Sequence, residues 1–302
     1  MRTREEQDAI NKACKYHPNS TEELQKLVND TEVKLGEIDT SQITDMSELF
    51  KDSKRTDFSG IEKWNVSNVT SMGAMFAGCK NFNQDISSWD VSSVENMFGM
   101  FTYCTSFNQD LSSWNVSKVT DMSGMFYNCK NFNQPLNNWD VSSVKDMSHM
   151  FWGCLDFNQD ISSWDVSNVK DMRLMFYHCL NFNQDIGSWN VAKVSNMRGM
   201  FCICTNFNQP LNNWDVGNVY CLNEMFYDCR AFNQSLNDWC VREDCYTDYI
   251  FEKTAQSYEN VNKAFTQDQL QVCGSEKIIE ALNNEKEQVE VQKVTVKQGR
   301  GR

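Results

Sequence analysis

The chain lacks the features that mark most enzymes and membrane proteins. Only three histidines occur among its 302 residues, and no glycine-rich phosphate-binding loop is present. A Ser-His-Asp or Cys-His arrangement therefore has no supported candidate. No stretch approaches the roughly 18 apolar residues that a membrane-spanning helix needs. We predict a protein without enzymatic activity, cofactor or membrane span.

Positive charge is also scarce. The formal net charge is −13, and acidic residues outnumber basic ones between Trp64 and Trp239. A nucleic-acid-binding face needs clustered Lys and Arg to displace counterions from phosphates. No nucleic-acid partner is expected.

Paired metal-ligand motifs are missing although the chain has 13 cysteines. No C-x-x-C pair occurs, and the histidines are scattered. The set Cys202, Cys204 and Cys221 allows a zinc interpretation, but without such a pair we predict no metal site. Buried thiols are favoured instead for a series that recurs with a fixed period: Cys79, Cys104, Cys129, Cys154, Cys179, Cys204 and Cys229.

What the chain does have is a repeat of unbroken register. Tryptophan recurs with a 25-residue period, and Val, Met, Phe and Cys recur with it, giving nine apolar positions in each unit. One unit cannot bury such a strip alone, so at least about three must stack, which is typical of a solenoid. The tryptophans are Trp64, Trp89, Trp114, Trp139, Trp164, Trp189, Trp214 and Trp239.

Two elements are predicted within each unit. Trp89, Asp90 and Val91 alternate apolar, polar and apolar, which indicates a short parallel strand with its Trp inward. From Met97 to Cys104 the apolar residues return to one side of a short helix or 3-10 turn. Asp or Asn precedes that segment, as at Asp121, and is placed to cap it.

The opposite bend carries Phe-Asn-Gln at seven consecutive sites, from Phe82 to Gln234. Amides at a chain reversal satisfy turn backbone and bond to one another along the stack. We interpret these residues as structural.

The run W-D-V-S-x-V-x-x-M-x-x-M-F-x-x-C-x-x-F-N-Q resembles the repeat of the BspA-like, mycoplasma-lipoprotein-associated family of leucine-rich-repeat-like surface proteins. The resemblance extends from about Ile38 to Phe251. It implies a leucine-rich-repeat-like fold and a role in adhesion or protein binding.

The predicted fold is an α/β solenoid, a leucine-rich-repeat-like stack of 25-residue coils. We assign residues 1–35 to a helical N-terminal cap, in which Ser20 or Thr21 begins an amphipathic helix. The repeats occupy 36–252, a C-terminal cap or helical extension 253–284, and a disordered charged tail 285–302.

The stretch from Met1 to Asp8 has neither an apolar signal region nor a lipobox-like cysteine. This favours a cytoplasmic, host-cell or virion location, while a surface location is suggested by the family resemblance alone. The chain is expected to be a monomer.

Two outward-facing series are candidate partner-binding residues. One lies between Trp and Val and is acidic at Asp90, Asp140, Asp165 and Asp215, where a solvated strand face is the simpler interpretation. The other follows Met-Phe and is aromatic at Tyr127, Trp152, Tyr177 and Tyr227, where packing competes with an interface role. The predicted function is a protein-interaction scaffold. The alternatives are an adhesin-like protein that binds host proteins or carbohydrate, and a ubiquitin-ligase-type substrate adaptor.

Overall fold

A computed structural model describes residues 3–236 and 238–254. Helix α1 covers Arg4–Lys12 and helix α2 covers Thr21–Asn29, and short 3-10 helices follow at Leu35–Glu37 and Ile61–Lys63. No helix within the described ranges is long and apolar enough to cross a membrane. The predicted segments 253–284 and 285–302 lie outside the described residues, apart from 253 and 254.

Helix α2 packs against the first repeat. The Ser20 hydroxyl accepts a hydrogen bond from the Glu23 N–H at the helix start, which is the usual role of an N-cap serine. Leu24 and Val28 are buried in the same apolar cluster as the repeats. The Gln25 side-chain amide donates to the Leu49 carbonyl at 2.8 Å. Burial and polar pairing together hold α2 against the repeat that follows it.

Consecutive repeats are joined through one backbone stretch that we call the turn segment, running from 96 to 104 in one repeat and at equivalent positions in the others. Its first residues form isolated parallel bridges from each repeat to the next, at Asp45, Ser71, Asn96, Asp121, Asp146, Asp171, Asn196, Cys221 and Tyr246. The N–H groups of alternate residues then donate to main-chain carbonyls of the following repeat. Examples are the bonds from Met97 to Asp121 at 3.0 Å and from Phe101 to Met125 at 2.9 Å. Equivalent turn segments therefore lie side by side.

Of the short helix or 3-10 turn that the apolar spacing predicts, the turn segment contains tight turns and no helix. Its second set of N–H groups closes tight turns within the repeat, as from Met100 to the Met97 carbonyl and from Cys104 to the Phe101 carbonyl. Gly99 and Tyr103 have positive φ of 57° and 59°. A right-handed helix cannot include left-handed residues, so the chain bends at each of them. The bends return the apolar side chains to one side and imitate a helical pattern.

The strand predicted at Trp89, Asp90 and Val91 is also absent. The Trp89 N–H closes a turn onto the Ile86 carbonyl, and the Val94 N–H closes another onto the Val91 carbonyl. Trp89 and Val91 both point inward because they lie at two successive corners. That geometry reproduces the alternation of a strand without its pleat.

The core between the turn segments and these corners is built of repeated side chains. All eight repeat tryptophans are at most 3% exposed, as expected for an inward position. Each indole N–H donates to a carbonyl of the preceding repeat, as from Trp89 to Ile61 at 3.1 Å. Phe101 and Phe126 stack with centroids 5.7 Å apart. The Cys129 thiol donates to the Phe101 carbonyl at 3.0 Å.

The Phe-Asn-Gln bends form the expected amide ladder. The Asn133 side-chain oxygen accepts hydrogen bonds from the Asn158 N–H at 3.0 Å and from the Gln159 amide at 2.9 Å. Asn108 and Asn183 do the same for the repeats that follow them. The structural interpretation of these amides is confirmed.

Candidate functional site

The acidic series lies at the corner after the buried Trp. Asp140, Asp165 and Asp215 are exposed, and Asp90 is half-buried. Since this corner is not part of a sheet, the expectation that these residues line a strand face is wrong. They lie on the outside of a series of turns.

Each of these carboxylates is bound to its own backbone. Asp90 accepts from the Ser92 N–H at 3.1 Å, Asp165 from the Ser167 N–H at 3.0 Å and Asp215 from the Gly217 N–H at 3.0 Å. Asp140 accepts from both the N–H and the hydroxyl of Ser142. The hydrogen bonds from the Ser167 hydroxyl and N–H lower the pKa of Asp165. These contacts are Asx turns, which stabilise the corner.

The aromatic series forms a continuous stack over part of its length. Ring centroids of Tyr127 and Trp152 are 4.4 Å apart with planes 3° from parallel, and those of Trp152 and Tyr177 are 5.1 Å apart at 4°. Tyr103 contacts the end of this stack, with its centroid 5.3 Å from that of Tyr127 and its ring plane tilted by 59°. We call Tyr103, Tyr127, Trp152 and Tyr177 the aromatic stripe.

Stacking follows from the turn segments. Neighbouring segments paired through their backbones lie about 4.8 Å apart, which brings flat rings at equivalent positions close to face-to-face contact. Trp152 has a stacked ring on both faces, and Tyr127 and Tyr177 have one on a single face each. The three side chains are half-buried rather than buried. The solvent-facing part of the stripe is therefore rich in ring edges and polar tips.

Tyr227 does not belong to the stripe. The equivalent position of the intervening repeat holds Cys202, which is buried. The Lys253 ammonium lies 4.7 Å from the Tyr227 ring centroid and donates to its hydroxyl. The four aromatic candidates thus separate into three stacked residues and one partner of a lysine.

Tyr103 is a member of the stripe that the sequence pattern misses. It comes one position later in its repeat than Tyr127 does. The Tyr103 N–H nevertheless donates to the Tyr127 carbonyl at 2.7 Å, because the backbones of neighbouring turn segments pair one position short of the full period. A search for aromatic residues separated by one position less than the period finds this pair.

Burial and mutual contact alter the titration of the stripe. Desolvation, followed by the hydrogen bond with Tyr103, raises the pKa of Tyr127 to about 12. Burial also lowers the pKa of His149, with a further contribution from Arg173. Both rings are therefore uncharged at neutral pH.

The residues beside the stripe vary from repeat to repeat. Phe98, in the same turn segment as Tyr103, is 52% exposed. Arg173 pairs with Asp171 at 3.0 Å, and Arg198 pairs with Glu224 at 3.3 Å. Aromatic side chains and arginine are the residue types that dominate protein interfaces.

Several outward residues of this face hold a conformation that suits glycine better. Gly99, Gly124 and Gly199 have positive φ, and the equivalent position of other repeats holds His149 and Leu174. A left-handed non-glycine residue costs roughly 1–2 kcal/mol. His149 and Leu174 thus occupy a backbone position whose conformation favours glycine.

The described residues contain no group of three or more His, Cys, Asp or Glu side chains that could hold a metal ion. The Cys204 thiol donates to the Phe176 carbonyl at 2.8 Å, in line with the other thiols of its series. Burial raises the pKa of Cys202 to about 12. Both thiols are buried.

A protein-family model matches the repeats. Three overlapping matches, over residues 21–122, 109–201 and 161–265, fit the family described as Mycoplasma protein of unknown function, DUF285. The chain belongs to this family. The DUF285 matches begin at helix α2 and include every residue of the aromatic stripe. No curated protein matches the chain in sequence.

Proposed function

We propose that the protein is a non-enzymatic interaction scaffold that binds a protein partner through the aromatic stripe. The proposal includes a leucine-rich-repeat-like solenoid of the BspA-like type as the framework. The observation that carries it is the stack of Tyr127, Trp152 and Tyr177 on a face whose residues differ between repeats. Residues at core positions are the same in every repeat because each repeat packs in the same way. Recognition of a specific partner requires surface residues that differ between repeats.

The stripe is a better candidate than the acidic corners. The carboxylates of Asp90, Asp140, Asp165 and Asp215 already accept backbone hydrogen bonds, so their arrangement is explained by the turns. Nothing within the repeat requires large aromatic rings at a half-buried outward position. Ring edges and polar tips of Tyr and Trp supply contact area at low cost in conformational entropy.

A protein partner also fits the ring geometry better than a carbohydrate. Sugars and cations pack on the open faces of aromatic rings, and here both faces of Trp152 and one face each of Tyr127 and Tyr177 are covered by a stacked ring. Exposed edges suit the mixed apolar and hydrogen-bonding surface of a protein. This argument favours a scaffold over a carbohydrate-binding adhesin.

The test compares two variants of the full chain in a pull-down from its native source. One changes Tyr127, Trp152 and Tyr177 to Ser, and the matched control changes Asp90, Asp140, Asp165 and Asp215 to Ala. We expect the first variant to lose partners that the parent and the control retain. Circular dichroism must show the same unfolding temperature for the first variant and the parent.

Two results contradict the proposal. Loss of partners in the Asp variant alone assigns binding to the corners instead of the stripe. Catalytic turnover that disappears when His178 or Cys221 alone is changed shows an enzyme rather than a scaffold.

A further inference from the structure

We propose that the partner of the aromatic stripe carries a short acidic segment, and that this segment binds a group of lysines beside the turn segments. The inference rests on the proposed function, which makes the partner a protein, and it adds the chemistry of that partner. We call the group the lysine cluster. It consists of four exposed residues in four consecutive repeats, Lys118, Lys145, Lys170 and Lys193.

The backbone places two of these lysines side by side. Lys145 and Lys170 each come directly before the first residue of a turn segment. The Lys170 N–H donates to the Lys145 carbonyl at 2.8 Å, and the Lys145 N–H donates to the Thr120 carbonyl at 2.9 Å. Neighbouring repeats paired in this way lie about 4.8 Å apart. Lys145 and Lys170, which we call the lysine pair, are therefore like charges one repeat apart, and they repel each other.

The other two lysines extend the cluster at both ends. Lys118 belongs to the repeat before that of Lys145, and Lys193 belongs to the repeat after that of Lys170. The Lys193 ammonium donates to the Asn168 side-chain oxygen at 2.7 Å, which brings it back toward the repeat of Lys170. None of the four lysines forms an ion pair with a described residue. The cluster is thus a set of positive charges without direct counterions, on a chain whose net charge is −13.

The fold does not need lysine at the position of the lysine pair. Three other repeats hold threonine or serine there, and its hydroxyl donates to a main-chain carbonyl of the preceding repeat. The donors are Thr70, Thr120 and Ser195, at 3.2, 3.3 and 3.1 Å. The lysine pair lacks this hydrogen bond and adds a repulsion. Its role therefore lies outside the fold.

The lysine cluster matches the length of a short extended peptide. From the repeat of Lys118 to that of Lys193 there are three steps, or about 14 Å. Side chains on one face of an extended peptide recur about every 6.7 Å, so three carboxylates within five residues cover this length. Lysine is a compact charge on a flexible stem, which brings an ammonium group within reach of each carboxylate.

A nucleic acid fits the surroundings of the cluster less well. Asp140 and Asp165 are exposed in the same two repeats as the lysine pair, five residues before it. Five residues extend over at most about 18 Å. Duplex DNA carries one charge for about every 1.7 Å of its axis, so a nucleic acid laid on the lysines also brings phosphates toward these carboxylates. A segment with a few acidic residues does not.

The lysine cluster lies within one interface of the aromatic stripe. Lys170 and Tyr177 are seven residues apart in one repeat, which is at most about 25 Å. A circular interface of roughly 800 Å² is about 32 Å across. One partner can therefore cover the ring edges and the lysines together, and the charges steer its approach.

The first test measures the binding of a probe to the full chain by fluorescence polarisation. The probe is a labelled peptide of ten glutamates. We expect the parent to bind it, and added salt to weaken that binding. The double variant Lys145→Thr, Lys170→Thr should bind at least about fivefold more weakly, since two exposed ion pairs are lost.

The matched control is the double variant Lys80→Thr, Lys130→Thr. It removes the same charge from exposed lysines outside the cluster, at a position where other repeats hold Thr105 and Thr205. Its affinity for the probe should equal that of the parent. The unfolding temperature of the variant of the lysine pair should equal or exceed that of the parent, because threonine restores the missing hydrogen bond.

Three results overturn the inference. The first is a parent that does not bind the glutamate peptide, or a control variant that weakens binding as much as the variant of the lysine pair. The second is tighter binding of a single-stranded DNA of ten nucleotides, which assigns the cluster to a nucleic acid. The third is a lower unfolding temperature for the variant of the lysine pair, which shows that the lysines belong to the fold.

The pull-down separates this inference from the proposed function. If the variant of the lysine pair retains every partner that the Ser variant of the stripe loses, the scaffold proposal stands and only the acidic segment is wrong. If the Ser variant of the stripe retains every partner, the proposed function fails and this inference fails with it.

Discussion

The indole N–H of Trp139 donates a hydrogen bond of 3.0 Å to the main-chain carbonyl of Leu111, which belongs to the preceding repeat. Equivalent bonds recur from Trp64 to Trp239. The tryptophan thus fills the core of its own repeat and also satisfies a buried carbonyl of its neighbour. Packing alone does not explain why the recurring residue is Trp rather than Phe.

Trp139→Phe should lower the free energy of unfolding by about 1–3 kcal/mol, since the Leu111 carbonyl then stays buried without its donor. Trp139→Ala should cost more, about 3–5 kcal/mol, because a cavity is added. Urea unfolding followed by circular dichroism measures both. Trp152→Phe, on the half-buried stripe, serves as the control and should change stability by less than Trp139→Phe does.

Two glycines allow a matched test of the left-handed positions. Gly124 has a φ of 61°, and a Cβ there would meet atoms no closer than 3.9 Å. Gly73 lies outside the left-handed region, and its nearest contact would be 3.5 Å. Gly124→Ala should destabilise the protein by about 1 kcal/mol. Gly73→Ala should be neutral or stabilise it by about 0.4–1 kcal/mol. Equal effects on the unfolding temperature would show that φ is not the cause.

The amide ladder makes a prediction about chemical detail. Asn133 accepts both of its inter-repeat side-chain hydrogen bonds through its oxygen. Asn133→Asp keeps an oxygen in that place and should retain most of the stability at neutral pH. Asn133→Ala leaves the Asn158 N–H unpaired and should cost about 1–3 kcal/mol. A denaturant midpoint for Asn133→Asp as low as that for Asn133→Ala would contradict this assignment.

The buried thiols make stability depend on alkaline pH. Burial raises the pKa of Cys79 from an ordinary value near 9 to about 11, and it also raises the pKa of Cys129 well above that ordinary value. A pKa raised on folding contributes stability that is complete below about 9 and is lost as the pH rises toward the folded value. Cys79→Ala should remove about 1 kcal/mol of the difference in unfolding free energy between about pH 8 and about pH 10. The exposed Cys240, changed to Ala, should leave that difference intact.

The sequence reveals the period, the inward residues and the amide ladder because each is a property of one position repeated many times. The residues at the positions of Trp89, Phe101 and Asn133 recur from repeat to repeat, and this recurrence can be read from the sequence. The backbone conformation between them cannot. Met97 to Cys104 is apolar at helical spacing, and only the alternation of right- and left-handed residues at Gly99 and Tyr103 distinguishes a run of turns from a helix.

The stripe was predictable in part for the same reason. Tyr127, Trp152 and Tyr177 occupy one position of the repeat and can be found by alignment. Tyr103 joins them because turn segments pair one position short of the period, an offset that aligning the repeats conceals. Tyr227 is separated from the stack because Cys202 occupies the equivalent position of the intervening repeat. That one missing ring interrupts the stack is apparent only from the structure.

The bonds between repeats join residues close to one unit apart, from 22 positions for Thr102 and Gly124 to 29 for Cys79 and Phe50. A repeat inserted between two others would therefore make the same hydrogen bonds to its neighbours as the existing repeats do. Duplicating residues 115–139 in frame should therefore raise the unfolding temperature rather than lower it, since each added unit brings one more neighbour interface. Duplication of one repeat in the gene would therefore lengthen the outer face, and the core of the added repeat would make the same contacts as that of its neighbours.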